Sequence, residues 1–296
     1  MTAGTGVLPA AQAGTVTLGG DLTVNRMGYG AMRITGKGIW GPPADRAGAL
    51  ATLRRAVALG VNFIDTADTY GPEVSEELIA EALHPYPSGL VIASKAGWTR
   101  PGPMLWAHNA SPAHLEKALE GTLKRLRLDR IDVFQLHIPD PAVSFDASME
   151  ALARLREQGK IRHVGLSNVT LEHVERARKI VPIVSVQNRY SFSDREWDYL
   201  VDHCGAHGIA FLPWGPMAQG KKANDVVEKI AAARGVSTAV VSLAWLLRRS
   251  PIMLPIPGTS SVSHLEENVG AARFKMTDAE FVELNAVVPK PFWLRA

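Results

Sequence analysis

Short apolar runs alternate with amphipathic segments along most of the chain. The first pair is an apolar run over residues 25–32, followed by a helical pattern that starts at Ala44 and ends at Gly60. Near-continuous apolar runs are typical of parallel strands covered on both faces, and the segments between them show the three- and four-residue spacing of helices. The pattern therefore predicts a repeated strand–helix order.

Seven further strand predictions follow the first, and each has a helix prediction after it. They are VNFIDT (61–66), LVIASK (90–95), RIDVFQLH (130–137), HVGLSN (163–168), IVSVQN (183–188), IAFLPW (209–214) and IMLPIP (252–257). Eight unbroken units favour an α/β fold of the (β/α)8 TIM-barrel type over a doubly wound sheet, which usually needs fewer units. A β-hairpin is predicted over residues 15–24, because Gly19, Gly20 and Asp21 separate two short alternating runs, and extra helices are predicted at the C-terminal end.

Capping signals predict where several helices begin. Ser111 stands before Pro112, which suits the first position of a helix because proline has no N–H to satisfy there. Three capping boxes are predicted from a serine or threonine with a glutamate three residues later. The pairs are Ser193 with Glu196, Ser263 with Glu266, and Thr277 with Glu280.

Composition narrows the class of protein. Hydrophobic residues make up 46% of the 296 residues and charged residues 21%, the balance of a globular protein with a large core. We expect a flexible leader over residues 1–14 and a single domain over residues 15–296. The formal charge of +3 comes from scattered lysines and arginines, so neither a nucleic-acid nor a membrane partner is predicted.

Cysteine use and the N-terminus indicate the compartment. Cys204 is the one cysteine, which excludes an intramolecular disulfide and a cysteine-based zinc site. The start of the chain lacks the basic and apolar regions of a signal peptide, and no apolar run approaches the roughly 18 residues of a membrane span. We expect a cytoplasmic protein, and the scattered histidines predict no metal site.

Four chemically capable side chains stand where predicted strands end or their loops begin. Asp65 and Tyr70 lie in GVNFIDTADTYG, Lys95 in VIASKAG, and His137 in FQLHIPD. Because active sites of (β/α)8 barrels form at the carboxyl ends of the strands, these four are predicted to meet at one rim.

The residue types favour proton transfer coupled to hydride transfer. A tyrosine has an ordinary pKa of about 10, and a nearby ammonium favours its phenolate, so Lys95 is expected to lower the pKa of Tyr70. Asp65 is expected to keep Lys95 charged by pairing with it. Tyr70 would then act as a general acid while His137 orients the oxygen of a carbonyl substrate.

These motifs, together with GKIRHVGLSN, resemble those of the aldo-keto reductase superfamily over roughly residues 15–286. The resemblance implies that Asp65, Tyr70, Lys95 and His137 are catalytic. It also implies a set of residues that bind a nicotinamide cofactor. They are Ser167, Asn168, Gln187, Trp214, Gly215, Pro216, Met217, Gly258, Thr259, His264, Glu267 and Asn268. Within this set Trp214 takes the place of a tyrosine that stacks on the nicotinamide ring.

The resemblance also implies a cofactor preference and a substrate region. Gly258 and His264 replace a lysine and an arginine that contact the 2′-phosphate in many relatives, so we expect NADPH, with NADH bound more weakly. IPGTSS, with Trp40 and the GPP after it, resembles a bacterial branch that includes pyridoxal reductases. Aromatic residues in loops and tail are candidate substrate contacts, namely Trp40, Trp98, Trp106, Phe292 and Trp293.

The same residues bear on the choice between several functions. The leading hypothesis is reduction of a small-molecule aldehyde or ketone, pyridoxal and aromatic carbonyls included. A nicotinamide-binding regulatory module with little turnover, like the potassium-channel β-subunits, is the alternative. A glycosidase would need two carboxylates across a cleft, whereas Asp65 and Asp68 are close in sequence. A Rossmann site is disfavoured because Gly28 and Gly30 fall inside the first strand.

Overall fold

The computed structural model describes residues 7–217 and 220–287. Its strands are β1 (Thr15–Leu18), β2 (Leu22–Asn25), β3 (Tyr29–Gly30), β4 (Phe63–Asp65), β5 (Val91–Ala96), β6 (Trp98–Gly102), β7 (Leu105–His108), β8 (Ile131–Leu136), β9 (Ile161–Ser167), β10 (Ile183–Gln187) and β11 (Ala210–Phe211). Its α-helices are α1 (Arg46–Ala58), α2 (Val74–Leu83), α3 (Pro112–Leu126), α4 (Phe145–Glu157), α5 (Leu171–Arg178), α6 (Asp198–Ala206), α7 (Lys221–Arg234), α8 (Thr238–Arg249), α9 (Val262–Gly270) and α10 (Asp278–Asn285). Short 3-10 helices cover Pro9–Ala13, Ala31–Ile34 and Ala271–Arg273.

Seven parallel strands form the barrel wall in the order β3, β4, β5, β8, β9, β10, β11. The eighth member is an irregular segment around Met253, which pairs with Phe211 of β11. On its other side, Gly28 N donates to Pro255 O at 2.9 Å and Gly30 N donates to Pro257 O at 3.4 Å. Proline has no backbone N–H, so Pro255 and Pro257 accept hydrogen bonds from this side and donate none back. The segment therefore closes the barrel through these two accepted hydrogen bonds. The predicted eight-unit barrel is confirmed.

The predicted hairpin is also confirmed, as β1 and β2 paired antiparallel with Leu18 opposite Leu22. Its alternate residues are buried and join a cluster with side chains from inside the barrel, among them Phe63 and Val133. The hairpin therefore contributes to the barrel core. A second, larger core lies between the strands and the surrounding helices.

Residues 7–14 correct the expectation of a flexible leader over residues 1–14. Pro9–Ala13 forms a 3-10 helix whose Ala10 is fully buried. Ala10 N donates to Leu59 O at 3.0 Å, and Arg26 N donates to Gly14 O at 2.9 Å. The small residues of this segment suit a flexible leader, and they equally suit close packing against the end of α1. Composition alone does not distinguish these two structures.

The helix starts agree with the capping predictions in two cases. Ser111 caps α3 with Pro112 at its first position, and Thr277 with Glu280 forms the predicted capping box of α10. The box predicted at Ser263 is wrong, because Ser261 caps α9 by accepting from His264 N.

The box predicted at Ser193 is wrong as well. The helix α6 begins at Asp198, and no side chain caps it. The Ser193 backbone N–H instead donates to the Ser191 hydroxyl, so this serine belongs to a turn.

Within residues 7–217 and 220–287, no single helix is long and apolar enough to cross a membrane. The pair α7 and α8 meets that length and composition only when taken together, and the two are bent by 101°.

Candidate active site

The four candidate catalytic residues meet at the carboxyl ends of three adjacent strands. Asp65 is the last residue of β4, Lys95 lies near the end of β5, and His137 directly follows β8. Tyr70 lies in the loop after β4. All four are buried, with exposed fractions of 2% for Asp65, 0% for Lys95, and 7% for both His137 and Tyr70. Parallel strand order thus brings together residues that are up to 72 positions apart in the chain.

Lys95 and Asp65 form a buried ion pair, with 2.7 Å between Lys95 Nζ and Asp65 Oδ2. Lys95 also donates to Thr66 O at 2.8 Å. The second carboxylate oxygen, Asp65 Oδ1, accepts hydrogen bonds from Gln187 Nε2 at 2.8 Å and from Gln135 Nε2 at 3.2 Å. A buried ion pair is tolerated when its remaining lone pairs are satisfied in this way.

The environment of Tyr70 overturns one prediction. Burial, followed by the carboxylates of Asp65 and Asp68, raises the pKa of Tyr70 well above its ordinary value. The Lys95 ammonium lies 5.2 Å from the centre of the Tyr70 ring, and its hydrogen bonds go to Asp65 and Thr66. The prediction that Lys95 lowers this pKa is therefore wrong, because desolvation dominates. Tyr70 consequently keeps its proton at neutral pH.

His137 is held in the neutral form. Burial and the positive charge of Lys95 hold the pKa of its imidazole well below the ordinary value. Burial likewise lowers the pKa of Lys95, and the charge of Asp65 opposes that shift. The rings of His137 and Tyr70 meet edge to face, with 6.0 Å between centroids. His137 Nδ1 is buried and has no hydrogen-bond partner within the described residues.

A cavity of about 730 Å³ opens in front of these side chains. It is lined by Gly30, Met32, Arg33, Asp65, Tyr70, Trp98, Trp106, His137, Ile138, Ser167, Asn168, Gln187, Trp214, Gly215, Pro216, Met217, Ile256, Pro257 and Gly258. Its volume falls in the range of about 300–1,000 Å³ typical of small-molecule sites. The structure thus brings three of the four catalytic candidates and most cofactor candidates to one cavity, with Lys95 behind Asp65.

Asn168 links the catalytic residues to the exposed tryptophan. Its amide nitrogen donates to His137 O and to Ser167 Oγ, both at 3.0 Å. Its amide oxygen accepts from Trp214 Nε1 at 3.2 Å. The backbone of Asn168 has φ 55°, a left-handed conformation that asparagine tolerates better than most residues. These contacts fix where Trp214 lies relative to His137.

The predicted cofactor residues between positions 258 and 268 do not all line the main cavity. Gly258 lines the main cavity, whereas the exposed His264 lies at the start of α9. Thr259 accepts from Tyr29 OH through its backbone oxygen at 2.5 Å. Glu267 lines a separate depression beside α8, and Asn268 is buried. Among these residues only Gly258 lines the main cavity, and the structure does not bring Thr259, His264, Glu267 or Asn268 to its lining.

Two of the five candidate substrate residues, Trp98 and Trp106, form an aromatic wall of the cavity, and Trp40 is not part of its lining. Trp98 and Trp106 line the cavity and meet edge to face with 5.9 Å between centroids. Trp40 is half-buried in the loop before α1 and, together with Trp106, flanks the Arg100 guanidinium. Phe292 and Trp293 lie outside the described residues.

Two polar residues of this site, Gln135 and Arg33, were not predicted from the sequence. Gln135 lies two positions before His137 on β8, so strand alternation points both side chains to the same face, and a glutamine inside an apolar strand was the available signal. Gly165 makes room for it, because a Cβ at that position would lie 2.9 Å from Gln135 Cγ. Arg33 lines the cavity beside Gly258, and no local pattern marked it.

The residues that line the cavity suit a nicotinamide cofactor. Among the described residues, no group of three or more histidine, cysteine or carboxylate side chains could hold a metal ion. Trp214 is 40% exposed, so it presents a broad apolar surface at the cavity edge. Ser167, Asn168 and Gln187 supply polar groups around it, and Arg33 has no ion-pair partner in the part of the chain that the structure describes. These residues fit the ring, amide and phosphates of such a cofactor.

Over residues 26–289 the sequence matches the model of the aldo/keto reductase family. The chain therefore belongs to the aldo/keto reductase family, and the resemblance seen in its motifs is confirmed. It is an NAD(P)H-dependent oxidoreductase.

Individual relatives agree with this assignment. An uncharacterised oxidoreductase of Schizosaccharomyces pombe is 46% identical over 286 residues, which cover 96% of this chain and 93% of the relative. Pyridoxine 4-dehydrogenase of Escherichia coli K12 is 44% identical over 280 residues, or 92% of this chain and 98% of that enzyme. An aldo/keto reductase from Klebsiella pneumoniae, solved with NADP and acetate, has a TM-score of 0.78 and 27% identity, with coverage of 94% and 96%. These similarities support carbonyl reductase activity with a nicotinamide cofactor.

Proposed function

We propose that this enzyme reduces an aldehyde or ketone to the alcohol, with NADPH as hydride donor and Tyr70 as general acid. The observation that carries the proposal is the convergence of Tyr70, His137 and the Lys95–Asp65 pair on one cavity edged by Trp214. Bound there, a reduced nicotinamide supplies the hydride.

The protonation states suit the reducing direction. Tyr70 holds its proton because its pKa is raised, and an alkoxide formed at the substrate is a stronger base than a phenolate. The proton therefore passes from the tyrosine oxygen to the substrate oxygen, and this transfer does not require a lowered pKa of the phenol. Neutral His137, which lines the cavity with Tyr70, orients the substrate oxygen.

The buried ion pair supports this geometry. Asp65 receives hydrogen bonds from Lys95, Gln187 and Gln135, so its carboxylate cannot turn toward the substrate. Lys95 in turn lies against the ring of Tyr70 and limits where the phenol can move. We assign positioning and electrostatic roles to the pair, and proton donation to Tyr70.

The experiment that tests Tyr70 is the substitution Tyr70→Phe. General acid catalysis is typically worth about 10²–10⁴-fold, so kcat for carbonyl reduction falls by that factor while the NADPH Kd stays unchanged. Turnover within threefold of the parent would contradict the role. Cofactor binding by the parent without turnover of any carbonyl would favour the alternative, a nicotinamide-binding regulatory module.

The substrate we propose is a flat or aromatic carbonyl, pyridoxal included. Trp98 and Trp106 give the cavity an apolar wall, and such walls supply most of the affinity in small-molecule sites. Similarity to pyridoxine 4-dehydrogenase points the same way. We expect a higher kcat/KM for pyridoxal and aryl aldehydes than for open-chain sugars, and the reverse ranking would contradict the proposal.

NADPH is the proposed cofactor, preferred over NADH by a modest margin. A Cβ at residue 258 would lie 2.6 Å from Gly30 O, so this backbone excludes the lysine that many relatives carry there. The Arg33 side chain fills the adjacent space, with its Cγ 3.5 Å from that Cβ position. Arg33 and His264 are the cations we assign to the cofactor phosphates, with the hydroxyls of Thr259, Ser260 and Ser261 as neutral partners.

A further inference from the structure

One arginine connects three segments around the catalytic cavity. Arg100, on β6, donates from Nε to Leu105 O at 2.9 Å within its own hairpin. Its Nη1 donates to Ile39 O at 2.9 Å and to Thr69 O at 3.2 Å, and its Nη2 donates to Gly38 O at 3.1 Å. The fork of a guanidinium makes this possible, because its donors diverge in one plane.

Two tryptophan rings lie close to the same guanidinium. Its central carbon lies 4.0 Å from the centre of the Trp106 ring and 5.5 Å from that of Trp40. Trp106 reaches into the cavity, with 6.5 Å between its ring centre and that of His137. With two tryptophan rings beside it and four hydrogen bonds to carbonyl oxygens, Arg100 is placed to brace the wall and not to bind an anionic substrate.

Tyr70 lies between Thr69 and Gly71, and the carbonyls of both residues are held by hydrogen bonds that depend on this brace. The carbonyl of Thr69 is bound directly by Arg100. On the other side, the carbonyl of Gly71 accepts from Gly41 N at 2.5 Å. Gly41 belongs to the loop of residues 36–41, in which Arg100 binds the carbonyls of Gly38 and Ile39. One neighbour of Tyr70 is therefore held by Arg100 directly and the other through this loop.

The loop of residues 36–41 contains a strained backbone conformation at Ile39, and the hydrogen bond from Arg100 to this residue explains how it is held. Ile39 has φ 57°, a left-handed conformation that a β-branched residue adopts only when its surroundings impose it. Its carbonyl is one of those that Arg100 binds. Loss of Arg100 would allow Ile39 to relax and so move the loop that pairs with Gly71.

We infer that Arg100 is a positioning residue that fixes Tyr70 and the tryptophan wall for carbonyl reduction. The inference rests on the proposed function, since Tyr70 is the proposed proton donor. It assigns to Arg100 an effect on catalysis through Thr69 and Gly71, without contact with the reacting atoms.

The kinetic test compares Arg100→Met and Arg100→Lys with Arg54→Met. Arg54 is a matched control because it donates to Ala82 O on the outside of the barrel. With benzaldehyde and with a small aliphatic aldehyde, we expect Arg100→Met to lower kcat at least tenfold, with the NADPH Kd within twofold of the parent. Arg100→Lys keeps the charge but not the fork, so we expect it to recover less than half of the lost kcat.

Three kinetic outcomes would overturn the inference. They are a kcat within twofold of the parent for Arg100→Met, a defect limited to KM for the aromatic substrate, and full recovery by Arg100→Lys. A parallel loss of NADPH binding would point to general damage and would count against it too.

Hydrogen exchange tests the brace without any need for activity. In Arg100→Met we expect faster exchange of the Gly41 amide than in the parent or in Arg54→Met. Unchanged exchange there would refute the brace. If the parent enzyme reduces no carbonyl, the proposed function fails while the exchange result still decides whether Arg100 holds this loop.

Discussion

The substitution Lys95→Met tests the buried ion pair most directly. Lys95 is fully buried, and methionine fills much of the same volume without the charge. Its removal leaves the Asp65 carboxylate buried with two amide donors, Gln187 and Gln135, which the parent already uses. Removing one partner of a buried pair is worth about 3–5 kcal/mol, so we expect the free energy of unfolding to fall by about 3 kcal/mol. For a domain of 296 residues, with an unfolding entropy of about 2.1 cal/mol/K per residue, that corresponds to a Tm lower by about 5 °C.

The control for this prediction is the double variant Lys95→Met with Asp65→Asn. It removes both charges, so its loss of stability should be smaller than that of Lys95→Met alone. Urea unfolding at pH 7 measures all variants. A Lys95→Met variant within about 1 kcal/mol of the parent, or a double variant whose loss equals the sum of the single losses, would refute the reasoning.

The same substitution changes the pH profile. The charge of Lys95 helps hold the pKa of His137 down, second to burial. Its removal therefore raises the pKa of His137, and the acid limb of the pH profile of kcat/KM moves to higher pH. An acid limb that stays in place would contradict the proposed coupling.

Three further predictions follow from individual residues. Because the pKa of Tyr70 is raised, aldehyde reduction should stay constant from pH 7 to pH 9 while oxidation of the corresponding alcohol, which needs the phenolate, rises with pH; oxidation independent of pH would contradict this. His137 has a lowered folded pKa, so its contribution to stability is present above about pH 6.5 and is lost as the pH falls. Between pH 7 and pH 5, urea unfolding of the parent should lose up to about 2 kcal/mol more than that of His137→Asn, and parallel losses would contradict the shift. His264→Arg should lower the Kd of NADPH but not of NADH, since an arginine adds a forked pair of charge-assisted hydrogen bonds, and an equal change for both cofactors would contradict that role.

The sequence by itself determined the barrel and the identity of the rim residues. Near-continuous apolar runs and helix spacing are local patterns, and they predicted eight strand–helix units. Because parallel strands end at a common rim, the positions of Asp65, Lys95 and His137 at strand ends were enough to predict that they meet. The capping of α3 by Ser111 was equally local, and it was predicted correctly.

The tertiary structure decided the features that depend on distant partners and on burial. Gln187 reaches Asp65 across 122 positions of sequence, and Arg100 reaches Gly38 across 62. Neither contact leaves a pattern within one element. The direction of the Tyr70 pKa shift was predicted wrongly because the prediction considered the charge of Lys95, whereas burial in the folded barrel and the carboxylates of Asp65 and Asp68 raise this pKa. Desolvation arises only when the chain is packed, so local sequence patterns do not specify it.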